Sequence, residues 1–538
     1  MYFNKIISTD VLVIGSGGAG LCAAISARKE GADVLVVSKG RPGRSNNTAV
    51  SGGVFAVVTG SKNTGDSNEL HIRDTLAAGR YINRLDMVQT MVEGALEQTE
   101  NLLHYGVWLQ KKGEDYWVIH VPGHSVPRHL FSKNSFGTDF TIPLAKYARD
   151  KNIRFLSGVF VERLLRGKNG KIAGALVIDK NKNQLIIVRA KAVVLASGGA
   201  GRIFSRNNNA PGTTGDGYCL AFRLGVPLID MEFVQFYPTL LYEPSLPNSL
   251  VAYEVFIFRG GAKLFNSKGE DIALRHNLVD PASLTRDALA IAMVTEIREG
   301  RDVNGGVWLD LSFIPPKKLE LYQRFVHKSL KGRLRFIVSP GVHHFMGGLS
   351  VNNKGETEID GLFSAGEVNG GMHGANRLGG NALTEAWVYG NLTGILAAQY
   401  SKESKSPVIE EDFEPIENEI KLDFEQKGEL PLQKILQEIK DLMWEKAGVI
   451  RTEELLTELI RDIDNIKKRL KECRVENLKD FVRKSEIKNM LLIGEIIARS
   501  AIKRKESRGS HFRLDFPREG GDGWIKNISV KPCDYAME

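Results

Sequence analysis

Residues 10–39 read DVLVIGSGGAGLCAAISARKEGADVLVVSK. An apolar strand over Val11–Ile14 runs into Gly15, Gly17 and Gly20, a helix of small residues follows, and a second buried strand occupies Val34–Val37. Strand, glycine turn, helix and strand in that order form the dinucleotide-binding unit of an α/β fold. Each glycine plays a distinct physical part. Gly15 makes the tight turn, Gly17 lets the backbone approach a pyrophosphate at the helix N-terminus, and Gly20 lets helix and strand pack closely. An NAD-binding unit ends its second strand with Asp or Glu on the ribose; here Ser38 and Lys39 stand there, which argues against NAD.

Two later segments extend the site. KAVVLASGGAGRIF sets a buried strand, Val193–Ala196, before Gly198 and Gly199. IDGLFSAGEVNGGMHGANRLGGNALTEAWVYG predicts a short strand at Ala365-Gly366-Glu367, then a glycine-rich loop and a helix after Asn381. A ligand touched near residues 15, 198 and 367 is long, as FAD is. Glu367 either accepts hydrogen bonds from a ribityl or ribose hydroxyl or serves as a buried cap, and the start of the following helix offers N–H groups to the electron-rich edge of a flavin.

The chain has 538 residues, enough for two or three domains, with 42% hydrophobic and 25% charged residues, so it folds and is not disordered. A net charge of +8 with scattered basic residues suits small anions or an acidic partner and gives no reason to expect nucleic acid. Cys22, Cys219, Cys473 and Cys533 lie far apart with no C-x-x-C pair, so no metal site and no iron–sulfur site is expected in this chain. The opening MYFNKIISTDVLVIG enters a strand at once, and no apolar run reaches bilayer length. We therefore expect a cytoplasmic protein with no direct membrane insertion. After about Ser401 charge-rich stretches such as LLTELIRDIDNIKKRLKE carry apolar residues at helical spacing, read as the core of a helical bundle, with a partner surface as the alternative.

Taken together these segments resemble the flavoprotein family of succinate dehydrogenase, fumarate reductase and L-aspartate oxidase. The likeness extends over nearly the whole chain through GSGGAG, SNNTAVSGG, VVLASGGAGR, TTGDGYCLAFRLG, DMEFVQFYPT, SLTRDALA, GVHHFMGG, LFSAGEVNGGMHGANRLGGNALTEA, MWEKAGVIR and ESRGSHFRLDFP, in that order. It implies a Rossmann-like FAD-binding domain, residues 1–236 and 342–400, interrupted by an inserted α+β capping domain, 237–341, and followed by a C-terminal helical domain and tail, 401–538. It also implies FAD contacts at Gly18, Ser38, Lys39, Ala196, Ser197, Gly198, Asp216, Glu367, Asn381, Ala382 and Leu383. Ser45, Asn46, Thr48, Gly52 and Gly53 lie in the segment held against the flavin ring. Respiratory members carry a flavin-linked histidine where Asn46 stands, so the FAD here is expected to be non-covalent.

By the same resemblance, His343 and Arg377 grip the substrate carboxylate, Arg286 is the proton donor and Glu254 the carboxylate that returns its proton, with Asp287 a second candidate. His344 receives no part. Without the likeness each of these residues taken singly reads more readily as a loop tie or core residue than as a catalytic group. The family's dicarboxylate enzymes hold the second carboxylate with a histidine and a threonine, at positions where Tyr237 and Tyr253 stand here. Ile257 and Arg259 replace a base and an acid in the same neighbourhood. Either the distal pocket prefers an aromatic, neutral polar or shorter acid, or both tyrosine hydroxyls stand in for the missing donors and fumarate remains the substrate. The resemblance implies hydride transfer between flavin and an unsaturated carboxylic acid. The alternatives are L-aspartate oxidase and a non-catalytic electron-transfer flavoprotein subunit. The likeness also gives, as a candidate electron-delivering partner, an iron–sulfur subunit, through which the chain would be attached to a membrane.

Overall fold

The computed structural model describes residues 3–60, 65–168, 170–244, 246, 249–280, 284–322, 330–409, 413–425 and 428–535; Ser283, the first residue of SLTRDALA, lies outside them. Its centre is a seven-stranded sheet. Strands Arg154–Ser157, Val34–Ser38, Phe3–Ile14 and Gln184–Leu195 run parallel in that spatial order. The strand Gln184–Leu195 changes neighbour along its length. Its first half pairs antiparallel with Ile172–Asp179, and its end pairs in parallel with Leu362–Ser364. The chain therefore leaves the sheet on one edge at Ile14, Ser38, Leu195 and Ser364, where the carboxyl ends of parallel strands open a ligand crevice. The strand expected at Ala365-Gly366-Glu367 lies one step earlier, at Leu362–Ser364. Gly366 has φ +77°, which ends the strand and turns Glu367 out of the sheet.

Beneath this edge the helices Gly18–Lys29 and Asn381–Glu403 pack backbone to backbone. A Cβ on Gly390 or Gly394 would strike the carbonyls of Ala19 and Ala23, so small residues set the interhelical distance. Gly15 and Gly20 are equally confined: added methyls would press into the Ala196 and Gly15 carbonyl oxygens. Gly17 differs, since a Cβ there would meet protein only at 3.6 Å, an ordinary contact with Asn46.

Residues from Tyr237 to Val338 enclose a second hydrophobic cluster around a four-stranded antiparallel sheet, ordered Val234–Leu241, Arg335–Phe345, Val307–Asp310, Lys263–Phe265. Its first two strands reach back into the first core through Val234, Phe236, Val342 and Phe345. The helix Arg286–Arg298 lies against this sheet, N-capped by Thr285. In the C-terminal region Leu432–Ala447, Glu453–Leu470 and Leu478–Lys503 are helical, and Leu456, Leu459, Ile463, Ile466 and Leu470 form the buried stripe of the second. These helices join the first core instead of enclosing one of their own.

A buried ionic cluster fastens the tail. Arg504 donates to Glu232 at 2.6 Å and to Glu506 at 2.9 Å, and Arg451 donates to the Glu232 carbonyl at 2.7 Å. Ser510 N–H then donates to the Ala375 carbonyl at 2.9 Å, while Ala375 N–H donates to Gly79 at 2.9 Å, so the tail clamps the loop that leads to Arg377.

The different surroundings of the glycines predict different phenotypes. Gly20→Ala should destabilise the protein by about 3 kcal/mol or more, since a backbone carbonyl blocks the methyl. Gly17→Ala should leave the apoprotein's melting temperature within a few degrees of wild type but abolish FAD retention. Thermal melts with and without added FAD check both.

Candidate active site

The strand ends and the second sheet enclose a cavity of about 1290 Å³, larger than a usual small-molecule pocket and sufficient for a dinucleotide with a small substrate beside it. At one end lie Gly15, Gly17 and Gly18, with the amino end of the helix Gly18–Lys29 facing the cavity. Ser38, Ala196, Ser197 and Gly198 border the same end. Lys39 also borders it, but its ammonium is already paired with Asp216 and donates to Glu486 at 2.7 Å and Thr214 at 2.8 Å. Its charge is satisfied within the protein, so it is a poor site for an additional phosphate.

The SNNTAVSGG segment forms a short helix, Asn47–Val50. Asn46 caps it, its Oδ1 accepting from Ala49 N–H at 2.8 Å, and Thr48 Oγ1 accepts from Gly18 N–H at 3.1 Å, which ties this segment to the glycine turn. Ser45, Asn46, Thr48 and Gly52 border the cavity. Gly52 has open space where a Cβ would stand. Asn47, which sequence reasoning passed over, donates to Glu367 Oε2 at 3.2 Å. Phe345 N–H donates to the other Glu367 oxygen at 3.1 Å. Burial raises the Glu367 carboxyl above its ordinary value.

Four expected contacts do not reach the cavity wall: Gly20, Gly53, Asn381 and Tyr253. Gly20 serves packing. Gly53, at φ +64°, abuts Ser132 and Phe136. The Asn381 side chain turns inward, bonded to His71 and Thr75 at 2.9 Å each, and leaves Ala382 and Leu383 to line the wall at the helix start. Two buried histidines, His124 and His129, meet the Gly379 carbonyl at 2.9 and 3.1 Å and hold the turn before that helix; desolvation pulls His129 down to about 3, so it is neutral.

The residues fit FAD on structural grounds. Gly17 and Gly52 have room where side chains would be, and the cavity continues from there to Glu367 and the arginines.

At the far end two guanidiniums, Arg377 buried and Arg286 partly buried, share one acceptor. Gln235 Oε1 accepts from Arg286 at 3.3 Å and from Arg377 at 3.1 Å, and its amide donates back to the Arg377 carbonyl at 2.9 Å. Gln235 sits within the quoted EFVQFYPT but was not singled out by sequence reasoning. Arg286 is paired with Glu254 at 2.6 Å. Burial works against its charge, but Glu254, then Tyr253 and Tyr237, prevail and hold it above its ordinary value. Asp287, the other relay candidate, faces Asn376 at 3.4 Å and is off the cavity. Arg377, by contrast, has no carboxylate at ion-pair distance among the described residues; burial, then repulsion from Arg286, pull it down. His343 lies beside them, its Nδ1 3.2 Å from the Asn208 amide and its ring 5.3 Å from that of Tyr237.

Tyr237 donates its hydroxyl to Glu254 and accepts from Tyr253 N–H at 3.0 Å. Arg286 lies over its ring at 5.2 Å. Tyr253 stands behind it, ring centres 5.7 Å apart. The residues from Glu254 to Arg259 form a π-helix, a wide turn common at functional sites, and Arg259 points along the cavity to the His120 carbonyl. Among the described residues no helix is long and apolar enough to cross a membrane, and no cluster of His, Cys, Asp or Glu could hold a metal ion.

Residues 10–383 match the FAD binding domain family, and residues 436–535 match the fumarate reductase flavoprotein C-terminal family. The chain is 36% identical to an uncharacterized FAD-dependent oxidoreductase of Methanocaldococcus jannaschii, covering 98% of this chain and 96% of that one. It is 33% identical to a fumarate reductase (CoM/CoB) subunit of Methanothermobacter marburgensis, over 98% and 97% of the two chains. The L-aspartate oxidase of Vibrio cholerae is 32% identical over 94% and 96%. A mutated E. coli quinol fumarate reductase FrdA superposes with a TM-score of 0.89 at 30% identity, covering 98% of this chain and 94% of that one. With its glycine cradle, its long cavity and these matches along its length, the chain belongs to the FAD-dependent flavoprotein family of fumarate reductase, succinate dehydrogenase and L-aspartate oxidase.

Proposed function

We propose that the protein reduces the C=C bond of a small unsaturated carboxylic acid, with residues 237–341 acting as a cap over the substrate and Arg286 as proton relay. The observation that carries this is Arg377: a guanidinium buried to 6% exposure, on the cavity, with no carboxylate partner among the described residues. A buried cation lacking a counter-charge is costly, and an anionic ligand removes that cost. FAD, when bound, supplies the hydride chemistry. Arg377 and His343 hold the carboxylate conjugated with the double bond and draw electron density toward it, which makes the distal carbon electrophilic. Arg286 holds a proton for the neighbouring carbon. Because Glu254 keeps this guanidinium strongly basic, release to carbon requires a proton to return through Glu254, whose carboxylate first takes one from solvent, and the Tyr237 hydroxyl stands at the carboxylate's other oxygen.

Tyr237 has committed its hydroxyl to Glu254, so it offers substrate its ring face and not a donor. Leu250, Val251, Val255 and Leu330 line the cavity nearby. This favours an acid whose far substituent is apolar or small over a plain dicarboxylate. Electrons would come from an iron–sulfur partner subunit or another reductant. Oxidising the dithionite-reduced protein anaerobically with fumarate, crotonate, cinnamate or urocanate tests the reaction class. If none of these reoxidises the flavin, the reading falls and the electron-transfer alternative takes its place; if L-aspartate instead consumes oxygen, the oxidase alternative holds.

Four outcomes are expected. Acid precipitation should leave the yellow colour in the supernatant, since Asn46 supplies no nucleophile and its side chain is used as a helix cap. Arg377→Leu should retain FAD but weaken the carboxylate-induced change in the flavin spectrum by about a hundredfold in ligand concentration. Arg286→Lys should bind both FAD and the carboxylate while turnover falls by about a thousandfold, and Tyr237→Phe should lower kcat by about tenfold with an unchanged order of substrate preference. A changed order with unchanged kcat would instead make Tyr237 a specificity residue.

A further inference from the structure

The π-helix Glu254–Arg259 carries the carboxylate that serves Arg286 at one end and a second charge, so far without a role, at the other. In an α-helix two residues five apart point about 140° away from each other. The wider π-turn stacks residues four to five apart, so Glu254, Val255 and Arg259 all line the cavity, while Phe256 and Ile257 enter the second hydrophobic cluster. An arginine is thereby brought onto the same wall as Glu254.

Two contacts set Arg259 at the substrate end and not at the glycine cradle. It lies one turn beyond Glu254, whose carboxylate is 2.6 Å from Arg286. Across the cavity it donates to the His120 carbonyl, and the next residue, Val121, is close to Arg286: a Cβ on Gly379 would stand 3.7 Å from Val121 Cγ2 and 3.6 Å from Arg286 Nη2. Arg259 therefore spans the cavity from residues 237–341 to the segment Ile119–Val121, and both Ile119 and Val121 line that facing wall.

The charge of Arg259 is not answered within the protein. A carbonyl occupies one of the guanidinium's five N–H groups and carries no net charge, and no carboxylate is at ion-pair distance among the described residues. Glu254 is already spent on Arg286. Arg259 is exposed, so water keeps its charge cheap, and an anion arriving in the cavity would gain modestly by pairing with it. Val255, on the same wall, offers no polar group. We propose that Arg259 is a specificity residue that holds a second anionic group of the substrate, separated by an apolar stretch from the carboxylate held at Arg377. This rests on the unsaturated-acid reading and narrows it: the far substituent is apolar where it passes Tyr237 and Val255 and anionic at its tip, so the favoured acid is longer than fumarate.

Oxidised holoprotein has no hydride to give, so unsaturated acids can be titrated against its flavin spectrum without turnover. The probes, trans-2-hexenedioate and trans-2-hexenoate, share a carbon chain and differ in the second carboxylate. Wild type should bind the dianion about fivefold more tightly at low salt, and the preference should shrink as salt rises. Arg259→Gln, whose amide can still donate to His120, should lose the preference while binding hexenoate within about twofold of wild type; Arg259→Lys should keep part of it. No preference in wild type, or an undiminished one in Arg259→Gln, overturns the proposal. Equal weakening of both acids in Arg259→Gln also overturns it, by making the residue a strut across the cavity. These outcomes leave the unsaturated-acid reading standing, whereas failure of both acids to perturb the wild-type flavin removes that reading and this inference with it.

Discussion

Two carbonyl oxygens, those of Ala196 and Gly15, lie where side chains at Gly15 and Gly20 would have to go. This crowding brings the first strand, the strand Gln184–Leu195 and the first helix into backbone contact, and it makes the crevice edge of the sheet narrow enough for one extended ligand to touch all three. The other small-residue contacts follow from it. With the first helix seated so low, the helix Asn381–Glu403 can lie against it only through Gly390 and Gly394, and its amino end arrives beside the cavity as a result. The glycines of the fold thus divide into those where protein atoms leave no space for a side chain and those, such as Gly17 and Gly52, that border the cavity with space to spare.

The other end of the cavity is governed by charge. Bringing two guanidiniums to one amide oxygen in a buried site is unfavourable unless each has a different counterweight. Arg286 has Glu254 inside the protein; Arg377 has no carboxylate at ion-pair distance among the described residues. The asymmetry separates a group suited to moving protons from one suited to holding an anion, although both are arginines. Gln235 makes the arrangement specific because a neutral acceptor orients both cations without neutralising either.

Local patterns explain what was legible in the sequence. Apolar runs ending in glycine are read directly from residue type, and so were the strand ends that form the crevice. The segment Ala365–Glu367 misled because a small-residue run resembles a buried strand, whereas the left-handed Gly366 ends it. The family resemblance also placed Tyr253 at the distal pocket, but the hydroxyl of Tyr237 captures its N–H and leaves its ring in the second layer. Gln235 stayed hidden for a different reason: its place depends on the register between two strands about a hundred residues apart in sequence, and on one irregularity in it, which no composition or spacing announces. The C-terminal helices were legible as helices, but their apolar stripes do not say whose core they complete.

The clamp of the tail on Ala375 sets an order of events during synthesis. The loop carrying Arg377 leaves the ribosome well before Arg504, Ser510 and Arg513, and at about 5–20 residues per second the interval is on the order of ten seconds. Throughout it the sheet and the glycine turn can already close, while the hydrogen bond from Ser510 to Ala375 and the ionic anchor on Glu232 have yet to form. A nascent chain can therefore acquire its dinucleotide cradle before the loop that carries Arg377 is fixed.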